Sequence, residues 1–244
     1  MFLEVVSSGS KGNCYILSND EESLMIECGV KMSVIKQAFN FNFTKLKGTI
    51  LTHNHQDHCK AIKDVLAAGI PVWASKGTHT ACDTIGHHRA KVIPPLKAVM
   101  IGNFKIMAFT VMHDAAEPVG FIIQHPETGN ILFITDTYYV PNRFENIHNV
   151  IVEANYCDDI INQKLKLDKK FLRDRVLNSH MSLRTCKEFL QANDLTKVNN
   201  IVLIHLSDSN SDANRFQKEI KELTGCDVRV AENGLKIPFD KTPF

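Results

Sequence analysis

The chain has 244 residues, 44% of them hydrophobic and 23% charged, a globular composition that excludes a disordered or low-complexity chain. Its 28 basic and 27 acidic side chains give a formal net charge of +1, so bulk charge does not mark a polyanion binder and any nucleic-acid role must rest on a local site. The opening Met1-Phe-Leu-Glu-Val-Val has no basic leader, no apolar run reaches the roughly 18 residues of a spanning helix, and the seven cysteines include no Cys-x-x-Cys pair, which together predict a soluble, reduced, cytoplasmic protein with no membrane role and no thiolate zinc knuckle.

In chain order, Phe2–Val6, Cys14–Leu17 and Ser23–Glu27 read as short strands separated by the polar turns Ser7-Ser-Gly-Ser-Lys-Gly12 and Asn19-Asp-Glu-Glu22. Ser33 is placed to cap a helix that carries Val34, Ile35, Ala38 and Phe39 on one face, and Gly48–Thr52 returns to strand. From Cys59, residues Ile62, Val65, Leu66 and Ala68 form a helical stripe that Gly69 ends, and Pro71–Ala74 is the next strand. The middle is β-rich: Phe104–Thr110, Val119–Gln124 and Ile131–Thr135, the last two joined by the hairpin loop Pro126-Glu-Thr-Gly-Asn130. The last third alternates strand Val150–Glu153, helix Leu183–Ala192, strand Ile201–Ile204, helix Ala213–Leu223 with Asp212 as its cap, and strand Asp227–Ala231. Two similar β-then-α halves, packed into one α/β sandwich over residues 1–244, are expected.

The chemistry begins where the strand Gly48–Thr52 stops. Thr52-His-Asn-His-Gln-Asp-His58 puts three imidazoles and a carboxylate within six residues. At a strand end His53 and His55 point the same way, so one cation can meet both, while Asp57 and His58 fall on the turn into the next helix and address a second cation. Histidine and carboxylate ligands suit zinc or manganese, with iron a third candidate; calcium and magnesium favour mostly oxygens. Three further candidates sit at strand ends: His113, Asp136 and His205.

His53-x-His55-x-Asp57-His58, followed by an isolated His, an isolated Asp after an apolar strand and a late His, resembles the metallo-β-lactamase superfamily over nearly the whole chain. The resemblance implies an αββα four-layer sandwich of two similar halves and two divalent ions. His53, His55 and His113 would hold one ion, Asp57, His58 and His205 the other, with Asp136 bridging. Ser7-Ser-Gly-Ser-Lys-Gly-Asn13, His113-Asp-Ala-Ala-Glu-Pro118 and His180-Met-Ser182 before His205-Leu-Ser207 resemble the YycJ/WalJ subgroup, relatives of ribonucleases Z and J regarded as phosphodiesterases or DNA 5′-exonucleases. The Gly-His-Thr-Pro-Gly context of lactamases and glyoxalase II is absent around His113. Residues 137–179 leave no room for the inserted domain of ribonuclease J, and a hairpin replaces the tRNA-gripping arm of ribonuclease Z.

The resemblance therefore implies a hydrolase that cleaves phosphodiesters in nucleic acid, DNA ahead of RNA, with the oligomeric state open. Alternatives are a small-molecule phosphodiesterase of the PhnP type acting on something like a cyclic nucleotide, then a thiolester or lactam hydrolase, then a binding protein that retains the scaffold. Asp57 is the candidate proton acceptor and His180 the candidate acid for the leaving oxygen. Ser10, Lys11 and Asn13 are candidates for binding substrate phosphate. Glu27-Cys-Gly29 stands where the family usually has Asp-Cys-Gly, and the longer acid is expected to shift the ligand it orients. His79, His87, His88, His125 and His148 are read as ordinary side chains, Cys59, Met107 and Met112 as core, and Tyr138 and Tyr139 as packing rather than base-stacking residues.

Overall fold

The computed structural model describes residues 1–164 and 170–242. The first half contributes β1 (Phe2–Ser7), β2 (Cys14–Ser18), β3 (Ser23–Ile26), β4 (Leu46–Ile50), β5 (Val72–Ala74) and β6 (Ala90–Val92). The second contributes β7 (Ala98–Ile101), β8 (Phe104–Thr110), β9 (Val119–His125), β10 (Gly129–Ile134), β11 (Ile147–Glu153), β12 (Asn200–Ile204) and β13 (Asp227–Val230), after which β14 (Lys236–Pro238) returns to the first sheet. The sheet orders are β14-β1-β2-β3-β4-β5-β6 and β13-β12-β11-β10-β9-β8-β7. Each sheet is antiparallel on one side and parallel on the other, the change coming at β3 and at β10.

Alternation within the strands sorts the core into three zones. Val5, Ile26, Phe121, Phe133, Ile151 and Val202 meet between the sheets. Val150 and Val152, on the other face of β11, pack with α7 (Leu183–Gln191) and α8 (Ala213–Thr224) through Leu183, Phe189, Phe216 and Ile220. Met25 and Val72 pack outward against Ile35 of α1 (Met32–Ala38) and Ile62, Val65 and Leu66 of α3 (Ile62–Ala67). The result is helices, sheet, sheet, helices. Such a double-sided core explains why β11 is buried at every position and why Val150, Ile151 and Val152 are apolar in succession rather than alternating. Among the described residues no helix is long and apolar enough to cross a membrane.

Most of the predicted elements are present, with local corrections. Ser33 does not cap α1: Lys31 holds the cap position and Ser33 lies inside the helix. The stretch around the histidines forms two short helices, α2 (Gln56–Cys59) and α3, so Asp57 and His58 lie within a helical turn, and Ala68 is an exposed C-cap rather than part of the buried stripe. Asp212 and Ser182 cap α8 and α7, each side chain accepting the N–H of the residue three on. Elements with no sequence signal are α4 (Lys76–Ala81), α5 (Asp158–Lys164), α6 (Lys170–Ser179), β6, β7 and β14.

One buried carboxylate joins the sheets. Glu22, in the β2–β3 turn, accepts the Asn103 N–H at 3.0 Å and its side-chain amide at 2.6 Å in the β7–β8 turn, and His125 Nε2 lies 3.3 Å away. Burial disfavours the charged form, but these donors together hold the carboxyl below its ordinary value of 4.5. Its contribution to stability is therefore complete above that value and is lost as pH falls through the lower, folded value. Glu22→Ala is expected to cost about 1.5–3 kcal/mol at neutral pH. In thermal melts its deficit relative to the parent should shrink as the pH is lowered below 4.5. A deficit independent of pH would contradict the role.

Candidate metal centre

The candidate ligands gather at one edge because the strands that carry them run in the same direction. Glu27 follows β3, His53 and His55 follow β4, His113 follows β8, Asp136 follows β10, Glu153 ends β11 and His205 follows β12. Glu27, Asp136 and His205 have φ of 62°, 47° and 55°, a left-handed backbone that costs non-glycine residues strain and that here turns each side chain over the sheet edge. The loop before β2 and the turn after β3 clasp α2 through Asn13 N–H to Asp57 O at 2.7 Å and Cys28 N–H to His58 O at 2.8 Å. That approach demands Gly29, since a Cβ there would lie 1.7 Å from the Asp57 carbonyl oxygen.

His53, His55 and His113 form a three-ring cluster with centroids 4.7–4.9 Å apart. Their outward nitrogens are occupied: His53 Nδ1 lies 2.9 Å from Thr52 Oγ1, and His113 Nδ1 donates to the Ser179 carbonyl at 3.0 Å. Inside the cluster His53 Nε2 is buried without a hydrogen-bond partner, and His113 Nε2 faces His55 Nδ1 at 3.1 Å. Burial first, then the neighbouring imidazoles, push His53 well below its ordinary value and lower His113 as well. Ring nitrogens that converge in this way, with the far nitrogens of His53 and His113 held by neighbouring groups, are what a cation needs.

Asp57, His58 and His205 form a second cluster. Asp57 Oδ2 is 3.3 Å from His205 Nε2 and 3.5 Å from His58 Nε2. Asp136 stands between the clusters: Oδ2 is 2.6 Å from His58 Nε2 and 4.0 Å from His53 Nε2, and Oδ1 is 3.5 Å from His205 Nδ1. Both triads, and a third made of His53, His58 and Asp136, have donor atoms within 4.8 Å of one another. All seven residues named from the sequence therefore meet in one place. Glu27 stands behind His58, with Oε1 3.6 Å from Nδ1, and accepts the Thr52 N–H at 3.2 Å.

Charge is balanced within this cluster. Burial opposes every ionised form, yet the His58 and His205 charges hold Asp136 well below its usual range, and hydrogen bonds from His205 and His58 do the same for Asp57. Conversely the Asp136 and Glu27 charges lift His58 well above its ordinary value, and Asp136, Asp57 and Glu153 lift His205 to about 9. Protonated histidines here occupy a field that favours positive charge.

Glu153 was not found by sequence reasoning. It is fully buried at the end of β11; Oε1 lies 2.7 Å from His180 Nδ1 and 3.2 Å from His205 Nδ1, while Oε2 accepts the N–H of Met181 at 3.1 Å and of Thr137 at 3.3 Å. A carboxylate directly after the apolar run Val150–Val152, at the edge that carries Asp136 and His205, was the available signal. His180 follows α6, and His180 Nδ1 also lies 2.9 Å from Asp136 Oδ1. Against the cost of burial, Glu153 and Asp136 raise His180 to about 10. Glu153→Gln is expected to lower metal affinity or turnover about 10–100-fold, read by metal titration and steady-state kinetics. Unchanged values for both would remove Glu153 from the site.

Ser10, Asp57, His113, His180 and the exposed Arg175 line a cleft of about 390 Å³ over the cluster. Lys11 is exposed and paired with Asp208 at 2.8 Å. Asn13 is buried and supports the cluster from behind, bonding Gly9 N–H, the Asp57 carbonyl and His58 Nε2. Met112 is 41% exposed, not core, and Tyr138 and Tyr139 are exposed rather than packed; Met107 is half-buried. Cys59 packs in the core. His79, His125 and His148 bond Thr84, Glu22 and the Asn130 N–H, away from the cluster. A wider groove of about 520 Å³ beside α5, α7 and α8 lies elsewhere, and its cations Arg184, Lys187 and Arg215 are paired with Asp158, Glu219 and Asp159.

Residues 24–206 match the family described as "Beta-lactamase superfamily domain", and the chain belongs to that family. The chain is similar to a Bacillus anthracis protein named exodeoxyribonuclease YycJ, 30% identical over 156 residues that span 60% of this chain and 58% of that one. It is also similar to exodeoxyribonuclease WalJ of Streptococcus pneumoniae, 25% identical over 253 residues, covering 96% and 91%. Among solved structures, the metallo-beta-lactamase fold protein YhfI of Bacillus subtilis superposes with a TM-score of 0.75 at 17% identity, over 97% and 98% of the two chains. The fold is thus the metallo-β-lactamase fold, carrying His/Asp clusters suited to divalent metal.

Proposed function

We propose that this chain is a cytoplasmic, binuclear-metal phosphodiesterase of nucleic acid, acting on DNA from a 5′ end. The observation that carries the reading is the pair of ligand triads sharing Asp136, with unpartnered or lone-pair nitrogens turned inward and the outward nitrogens held by Thr52, Ser179 and Glu153. His53, His55 and His113 would hold one ion and Asp57, His58 and His205 the other, with Asp136 between; zinc or manganese suits these donors. The names of the YycJ and WalJ relatives support nucleic acid, and DNA in particular, as the substrate.

When bound, two such ions lower the pKa of a water and neutralise charge on the phosphate. The chain's own residues do the rest. Asp57, partly exposed at the cleft, takes the proton of the attacking water. Attack on phosphorus breaks the bond to the leaving ester oxygen. His180, with Nδ1 engaged by Glu153 and Asp136, turns Nε2 to the leaving side and gives a proton to that oxygen.

The test uses purified protein loaded with zinc or manganese and five substrates: 5′-labelled DNA, 3′-labelled DNA, matching RNA, a cyclic nucleotide and bis-p-nitrophenyl phosphate. Stepwise release from the 5′ end of DNA is the expected result. Hydrolysis of the small esters with every nucleic acid left intact would replace this reading with a small-molecule phosphodiesterase. No hydrolysis of any substrate with both metals bound would make the chain a binding protein.

A further inference from the structure

Next in sequence to the candidate ligands His113 and Asp136 the chain exposes apolar and aromatic side chains that the chemistry above does not use, and Tyr139 lines a hollow of about 320 Å³ shared with Thr185 and Phe189 of α7. Met112, immediately before His113, is 41% exposed, and Tyr138 and Tyr139, just beyond Asp136, are 43% and 50% exposed. The two segments are locked together by one fully buried hydroxyl. Thr137 Oγ1 accepts the Met112 N–H at 3.1 Å and donates to the Tyr139 carbonyl at 2.9 Å. The Thr137 N–H in turn donates to Glu153, the carboxylate that also holds His180 and His205. The rim that bears the tyrosines and the acid that orients the leaving-group histidine are thus one hydrogen-bonded unit.

Large side chains left in water on a fixed backbone are suited to a flat partner. A tyrosine offers a rigid face with little rotamer entropy to lose, and aromatic faces stack any base regardless of sequence. The cleft supplies the complementary polar groups, Ser10 and the exposed cation Arg175. Duplex DNA hides its base faces by stacking, whereas a single-stranded end can present one.

From this placement, and resting on the nucleic-acid reading above, we infer that Tyr138 and Tyr139, with Met112, form a base-stacking subsite that takes the terminal nucleobase of a single-stranded end. The adjoining phosphodiester then lies over the metal centre, and duplex ends are bound only after fraying. Stacking of this kind discriminates a base from its absence by roughly ten- to a hundredfold.

The test measures binding of a cleavage-resistant, phosphorothioate-linked oligonucleotide carrying 2-aminopurine at its 5′ terminus, against the same strand with an abasic terminus. The metal-loaded parent should quench the 2-aminopurine and bind it roughly ten- to a hundredfold more tightly than the abasic strand. The Tyr138→Ala/Tyr139→Ala variant should lose both the quenching and the preference, and the Tyr138→Phe/Tyr139→Phe variant should keep them. Equal binding of the two strands by the parent, or a preference that survives in the alanine variant, overturns the subsite. Cleavage of DNA without base preference would sink the subsite and spare the function; base-dependent binding without cleavage of any nucleic acid would do the reverse.

Discussion

Asp136→Ala is expected to leave one metal ion or none per chain and to lower phosphodiester hydrolysis by on the order of 10³-fold, as loss of a central electrostatic group does. The reason is its place. Its carboxylate is 2% exposed and lies within 2.6–4.0 Å of His58, His180, His205 and His53, so it touches both triads at once. In metal-free protein the same change strips His58 and His180 of a buried counter-charge, and breaking such a pair costs about 3–5 kcal/mol. Elemental analysis, kinetics and melting in the presence of a chelator read the three effects separately. A variant that keeps two ions and full turnover would show that Asp136 does not join the clusters.

His180→Ala is expected to behave differently. His180 belongs to neither of the two proposed triads, so both ions should remain, while turnover of a poor leaving group such as a nucleoside alkoxide falls about 10²–10⁴-fold. Bis-p-nitrophenyl phosphate, whose leaving group departs without help, should lose far less. Equal loss on both substrates would move His180 from proton donation to holding the site together. Glu153→Gln supplies an internal comparison, because it disturbs His180 and His205 together and should not separate the two substrates as sharply.

The parts of this centre that were legible in the sequence are those with local spacing. His53 and His55 lie in the short connection between β4 and α2, and Asp57 and His58 in the helical turn of α2, so their convergence follows from a compact local segment. His113, Asp136 and His205 are far apart in sequence; their strand-end positions made them candidates, and the resemblance to a family supplied most of the support; the parallel strands β10 and β12 and the codirectional β8 explain why they meet. Glu153 escaped because a single acid at a strand end carries no spacing signal, and its partners His180 and His205 are supplied by other elements. Met112, Tyr138 and Tyr139 were misplaced because large apolar residues near strand ends are usually core, while here Thr137 fixes their backbone at the rim and leaves the side chains in water.

In the fold the same division holds. Strands buried on one or both faces, such as β8 and β11, and the capped amphipathic α8 declared themselves through periodicity and an Asp cap. The three-residue β6, half-exposed to exposed at every position, has no apolar pattern to read, and pairing with β5 alone makes it a strand. Ser33 looked like a cap, but the chain enters α1 two residues earlier and leaves that hydroxyl inside the first turn.

The most direct measurement is anomalous diffraction from crystals of the protein grown with zinc or manganese. Two peaks should appear, one among the rings of His53, His55 and His113 and one beside Asp57, His58 and His205, with Asp136 touching both. A cluster without anomalous density in protein saturated with metal, or a single ion bound on another face, would contradict the binuclear centre on which the proposed chemistry depends.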